Sequence, residues 1–310
     1  MAGMAHASLP SRPAPRRMLE ALGDLALLPA IYVAAATALF AALTETTISP
    51  AAIAFTALVA WPVYLLDRVK WRDAWLDPAD AAAHPRRQAL LHPRRVAIRA
   101  ISLAMLGGAS LLAWRLAPSP RSALSTLAIG LPMLAAIGAW VYAGRPRRQA
   151  PRPKDLLPLK SPAVGVAIAA FSCMVTLAFD PRLASIEAAR DFFAQPPSLF
   201  ALGAIALRVT GDAIWCDLDD AVSDRRHRTA SVPAICGVAA GWSTGGLLCI
   251  AGASLALAGR PDALGVTAAS AAAIGTMALF LARPTPARDL AELRLPLEAA
   301  LVLAVQAALS

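Results

Sequence analysis

Runs of about 20 apolar residues recur along almost the whole chain, and this restricts the fold more than any other feature. A helix rises 1.5 Å per residue, so about 20 apolar residues cross the ~30 Å hydrocarbon layer of a bilayer. Nine runs read as spans, at roughly residues 20–44, 50–69, 96–117, 121–143, 160–179, 197–216, 231–256, 262–282 and 292–309. The composition agrees, because 58% hydrophobic against 16% charged over 310 residues leaves too little polar surface to cover a soluble domain. Inside lipid every backbone amide must be satisfied within its own segment, which helices achieve. The chain therefore reads as an all-α, polytopic membrane protein. Residues 20–310 form one transmembrane helical domain, and residues 1–19 form a basic, Pro/Arg/Ser-rich, disordered tail. That tail lacks the apolar core and cleavage site of a secretory signal.

The net charge of +9 would suggest nucleic acid for a soluble protein, but here the basic residues flank the apolar runs. Lipid headgroups and topology explain them, and no nucleic-acid partner is expected. Arg86, Arg87, Arg94 and Arg95 follow the second run, Arg145, Arg147 and Arg148 the fourth, and Arg225, Arg226 and Arg228 the sixth. The alternate loops carry few basic residues. The positive-inside bias puts the N-terminus in the cytoplasm and, with nine spans, the C-terminus outside. The Ala/Arg-rich composition looks bacterial, hence a cell inner membrane. Cys173, Cys216, Cys236 and Cys249 lie in or beside apolar runs with no Cys-x-x-Cys pair, so they read as small core residues rather than zinc ligands or disulfides.

One stretch interrupts this pattern with chemistry. Gly211–Gly237 reads GDAIWCDLDDAVSDRRHRTASVPAICG. If the sixth helix continues through it, Asp217, Asp220 and Asp224 stand at i, i+3 and i+7, within roughly a 60° arc. Three carboxylates on one stripe repel unless a cation sits among them. An all-carboxylate set suits a hard ion, Mg²⁺ first, shared with substrate phosphates. Arg225, Arg226 and His227 follow and are placed to hold phosphate oxygens. The plainer reading is a solvated mixed-charge loop at the membrane edge. The second loop, YLLDRVKWRDAWLDPADAAAHPRR, carries Asp67, Asp73, Asp77 and Asp80 and falls on the same cytoplasmic side.

With Asp-rich motifs after the second and sixth of nine spans, residues 20–309 resemble the UbiA superfamily of intramembrane prenyltransferases. Asp217, Asp220 and Asp224 match its Asp-x-x-Asp-x-x-x-Asp motif, and Thr229, Pro233 and Gly237 follow in similar order. The first motif departs from the family's Asn-x-x-x-Asp-x-x-x-Asp. With Asp67 central, its outer positions are Val63 and Trp71; Asp73 and Asp77 have the right spacing but lie further out, just before Pro78. The resemblance implies transfer of a prenyl group from a prenyl diphosphate to an aromatic or other lipid-soluble acceptor, with Mg²⁺ as cofactor. It implies metal ligands among Asp67, Asp73, Asp77, Asp217, Asp220 and Asp224. It also implies a basic contact to the diphosphate from Lys160; Arg68, Arg208 and Tyr64 are further substrate-side candidates read from the residues themselves, Tyr64 reading first as an interface anchor.

Some polar residues admit a structural role instead. Arg208 and Asp212, four apart in one span, are expected to pair on one helix face, or else to serve a pocket. Trp61, Trp71, Trp75 and Trp215 read as membrane-interface anchors. A non-catalytic binding or assembly protein on the same fold is the competing reading, favoured by Val63 and Trp71. The Asp-Gly-x-x-Ala-Arg opening of CDP-alcohol phosphotransferases is absent. The paired broken helices that would suggest a transporter are not evident.

Overall fold

A computed structural model describes residues 14–47, 49–72, 81, 84–116, 123–143, 156, 160–183, 185–227, 229–260, 275 and 288–309. The described elements are all helical, apart from turns and connections. In chain order they are α1 (Ala14–Asp24), α2 (Leu27–Leu43), α3 (Pro50–Val69), α4 (Pro85–Leu91), α5 (Arg95–Leu116), α6 (Ala123–Ala143), α7 (Lys160–Phe179), α8 (Ile186–Ala194), α9 (Pro196–His227), α10 (Val232–Cys236), α11 (Val238–Gly259) and α12 (Arg288–Leu309).

Five described helices are long and apolar enough to cross a membrane, and a sixth span arises if the bent pair Met18–Asp24 and Leu27–Leu43 counts as one. Large side chains such as Ile101, Leu111, Met133, Val166 and Leu247 face outward from the bundle. Only lipid accepts such an exterior, so the chain is an integral membrane protein. The expected span at 262–282 lies outside the described residues, save Gly275.

Three expected boundaries differ. The first span is bent by 80° at Leu25–Ala26, where Ala26 takes a left-handed φ of 61°. The carbonyls freed at the bend are met from α3: Trp61 Nε1 donates to Leu25 O at 2.8 Å and Arg68 donates to Gly23 O. The helix also begins at Ala14, inside the expected tail. Finally, the expected 231–256 span is broken at Gly237, whose φ of 95° only glycine adopts freely, dividing α10 from α11.

The bundle centres on α9, which packs against α7, α11, α2 and α12, while α2 is also held by α3 and α7. Small residues set how closely these helices approach. A methyl on Gly165 of α7 would lie 2.1 Å from Thr210 Oγ1 and 2.4 Å from Ala206 O on α9. Apolar clusters fill the interior, one around Phe40, Ile205 and Leu295, another around Phe55, Leu106 and Phe179.

Candidate active site

The acidic stretch continues helix α9 without a break to His227, and the helix orients its carboxylates as the spacing requires. Asp217 and Asp224 are buried, Asp220 is half-buried and Asp219 is exposed. The cation demanded by the stripe is part of the chain. Lys160, first residue of α7, places Nζ 3.0 Å from Asp217 Oδ1 and 2.8 Å from Asp224 Oδ2. Ser161 donates to Asp217 at 3.2 Å and Ser231 donates to Asp224 at 2.7 Å. Asp220 meets His84 Nε2 at 3.4 Å. Tyr142 of α6 fixes the start of α7 by donating to Lys160 O at 2.9 Å.

Asp217, Asp220, Asp224, Lys160, Ser161 and Tyr142 line a cavity of about 260 Å³ that also includes Tyr32, Tyr64, Asp67, Asp212, Thr229 and Glu292. Asp67, near the end of α3, thus reaches the same cavity as the α9 stripe, although about 150 residues separate them in sequence. A second, apolar cavity of about 510 Å³ lies among α2, α3, α6 and α7, walled by residues such as Val63, Leu131, Gly138, Ala167 and Met174. Tyr64, Asp67, Tyr142, Val164 and Ile168 line both cavities, so an ionic chamber and an apolar chamber share one wall.

The structure separates the other sequence candidates. Arg208 does not line either chamber; it is fully buried and its guanidinium binds Glu298. The expected Arg208–Asp212 pair is therefore replaced. Asp212 is gripped by Arg294, Nε to Oδ1 and Nη2 to Oδ2 both at 2.6 Å, and Tyr32 donates to Asp212 Oδ2 at 2.6 Å. Arg294 also reaches Glu298 at 3.2 Å, closing a buried network of two arginines and two carboxylates. The cause is that α12, far away in sequence, offers each charge a better-aligned partner than its own helix can. Trp215 is likewise no interface anchor, being fully buried against Trp242 with Nε1 donating to Trp242 O at 3.2 Å.

Arg68 is buried with its guanidinium turned to Gly23 O, away from the chambers. Arg225 and Arg226 are exposed beyond the stripe, and Arg225 donates to Pro233 O at 3.4 Å. Asp73, Asp77 and the side chain of His227 lie outside the described residues. Sequence reasoning missed Tyr32, His84, Tyr142, Ser161, Ser231 and Glu292. Of these only Glu292 carried a usable signal, as an acidic residue at the start of an apolar run.

Every stripe donor is a carboxylate or hydroxyl oxygen, the chemistry that suits Mg²⁺. Among the described residues, no three Asp, Glu, His or Cys groups converge on one point. An ion held here would thus take one or two carboxylates and complete its shell with water and substrate oxygens.

No family model matches the chain, and no curated protein matches it. Among solved structures, the apo structure of a UbiA homolog from Aeropyrum pernix K1 superposes with a TM-score of 0.61 at 16% identity, covering 90% of this chain and 98% of that one. A structure concerning digeranylgeranylglyceryl phosphate synthase in membranes gives a TM-score of 0.48 at 13% identity, covering 93% of this chain and 99% of that one. The chain has a UbiA-like fold.

Proposed function

We propose that the chain transfers a prenyl group from a prenyl diphosphate to a lipid-soluble acceptor within the membrane, with Mg²⁺ as cofactor. The observation that carries this reading is the wall shared by the two chambers. A molecule that fills both would join a compact polar head to a long apolar tail. Lys160, together with a divalent cation held by the acidic groups, would suit a diphosphate head, the Leu/Val/Ala/Met walls suit the tail, and the UbiA-like fold supports the reading.

One or two of Asp217, Asp220 and Asp224 would hold Mg²⁺, whose charge would stabilise a diphosphate as it leaves. The rest follows from the chain's own side chains. Lys160 has the reach and the charge to turn from its two aspartates toward a diphosphate, while Ser161 and Ser231 keep Asp217 and Asp224 aimed inward. Tyr64 lines the junction of the chambers, where the C–O bond between tail and head would lie. Its ring face favours the positive charge that develops on the allylic carbon as that bond ionises. The apolar walls exclude water, so the acceptor's nucleophilic atom, rather than hydroxide, closes on that carbon and then releases its proton.

The competing reading, a non-catalytic binding or assembly protein, draws on Trp71, which packs into the α3–α5–α6 cluster where the resemblance leads one to expect an acidic ligand. One assay divides the two. Membranes containing the protein are incubated with labelled prenyl diphosphates of several chain lengths and Mg²⁺. Transfer predicts a labelled lipid and free pyrophosphate, both lost on chelation. Retention of intact diphosphate with no product supports the binding protein.

A further inference from the structure

The two acidic sides of the ionic chamber are compensated differently. On the α9 side, Lys160 lines the cavity and is shared between Asp217 and Asp224. On the α3 side, Lys70 is buried at 7% exposure, and its ammonium binds the Asp67 carboxylate. Lys70 follows the last turn of α3 with φ 52° and ψ 161°, a conformation that a side chain makes costly. It is held there by Arg99 of α5, whose Nε donates to Lys70 O at 2.6 Å and whose Nη2 donates to Val69 O at 3.0 Å. Strain maintained by a dedicated clamp, at a residue whose charge meets a chamber carboxylate, marks a constrained position.

We infer that Lys70 is a fixed cation in the place of a second divalent ion, so the chamber takes one divalent ion, on the α9 stripe, together with the diphosphate. This rests on the transferase reading above. Asp67 lines both chambers at their junction, but its charge is answered by Lys70. An ion arriving there would face an ammonium whose backbone cannot retreat while Arg99 holds it. On the α9 side Tyr142 also holds the lysine's backbone, at Lys160 O, but there the lysine itself lines the cavity. Lys160 sits on a helix start, with the cavity before it, and can exchange its aspartates for phosphate oxygens. Lys70 is accordingly a positioning residue: it lines neither chamber itself, but it holds Asp67 at the head–tail junction and answers that carboxylate's charge.

The test counts ions. Purified full-length protein in detergent is titrated with Mn²⁺ in the presence of inorganic pyrophosphate, and bound Mn²⁺ is read by electron paramagnetic resonance. One Mn²⁺ per chain is expected. Asp67→Asn should leave that count at one and shift the affinity by no more than about twofold, whereas Asp220→Asn should weaken binding by a factor of ten or more. Lys70→Met, which removes the ammonium from Asp67, should admit a second Mn²⁺, and Lys70→Arg should return the count to one. Two ions in the unmodified protein, with one lost in Asp67→Asn, would overturn the inference while leaving the transferase reading intact. A count that stays at one in a folded Lys70→Met also overturns it. No bound Mn²⁺ in the unmodified protein would sink the metal-dependent reading itself.

Discussion

Asp219 and Asp220 are adjacent in sequence, yet one is exposed and the other faces His84 at the cavity. A turn of about 100° per residue causes the difference. Asp220→Asn keeps shape but offers a hard cation a poorer ligand. It should lower prenyl transfer by 100-fold or more, on the order of losing one preorganised electrostatic contact, while Asp219→Asn should stay within about twofold in the same assay. Equal losses would contradict the helical stripe. Lys160→Met removes the internal cation and leaves Asp217 and Asp224 to repel. Its thermal midpoint in detergent should fall without metal and recover with added Mg²⁺; a midpoint indifferent to Mg²⁺ would count against a cation site there. The stripe was legible because helical spacing is a local property, written in consecutive residues. The pairing of Arg208 and Asp212 was not, since the partners that win, Glu298 and Arg294, lie some 80 to 90 residues downstream. Local spacing shows which charges can meet on one helix and is silent on what another helix brings.

At the scale of elements, the site depends on α7 and α9 staying in close contact. Gly165→Ala forces a methyl into Thr210 and the Ala206 carbonyl. It should destabilise by about 1–3 kcal/mol, the usual cost of overpacking, and should also reduce activity, because α7 carries Lys160. The buried network linking α9 to α12 is a second tie. Arg294→Met leaves Asp212 and Glu298 buried without their shared partner, which should cost about 3–5 kcal/mol and show as a lower thermal midpoint. The opposite end of α7 has its own lock. Asp180 is buried and accepts hydrogen bonds from Thr47 N at 3.0 Å and from Arg182 Nη2 at 2.8 Å. Burial pushes its carboxyl up, but the Arg182 guanidinium and the two backbone N–H groups outweigh this and hold it below the ordinary carboxylate value. The stability it contributes is therefore complete above about pH 4 and is lost as pH falls through the lowered value. Thermal midpoints taken down to pH 3 should drop less in Asp180→Asn than in the unmodified protein. Most helices could be read from apolar run length, whereas the 80° bend in the first span could not. Nothing in that apolar run announces that Trp61 and Arg68 of α3 will meet the carbonyls a bend sets free.

For the whole molecule, the charged loops put the N-terminus and both acidic helix ends on the cytoplasmic side. Asp67 and the α9 stripe do line one cavity, as a shared side requires. A reporter fused after Ser310 should read as extracytoplasmic; a cytoplasmic reading would mean that the number of crossings is even. Sequence alone led to the ionic chamber through its carboxylates. The apolar chamber left no such trace, because Val63, Gly138, Ala167 and Met174 look like any lipid-facing residues until four helices enclose a volume between them. That the two chambers hold the head and tail of one molecule is the central claim, and binding tests it most directly. The affinities of a non-ionisable prenyl diphosphate analogue and of inorganic pyrophosphate are measured with Mg²⁺, for the unmodified protein, Ala167→Phe and Asp220→Asn. The account predicts that the analogue binds at least tenfold more tightly than pyrophosphate, that Ala167→Phe weakens the analogue alone, and that Asp220→Asn weakens both. An analogue that binds no better than pyrophosphate, or that ignores a phenylalanine placed in the apolar chamber, would contradict it.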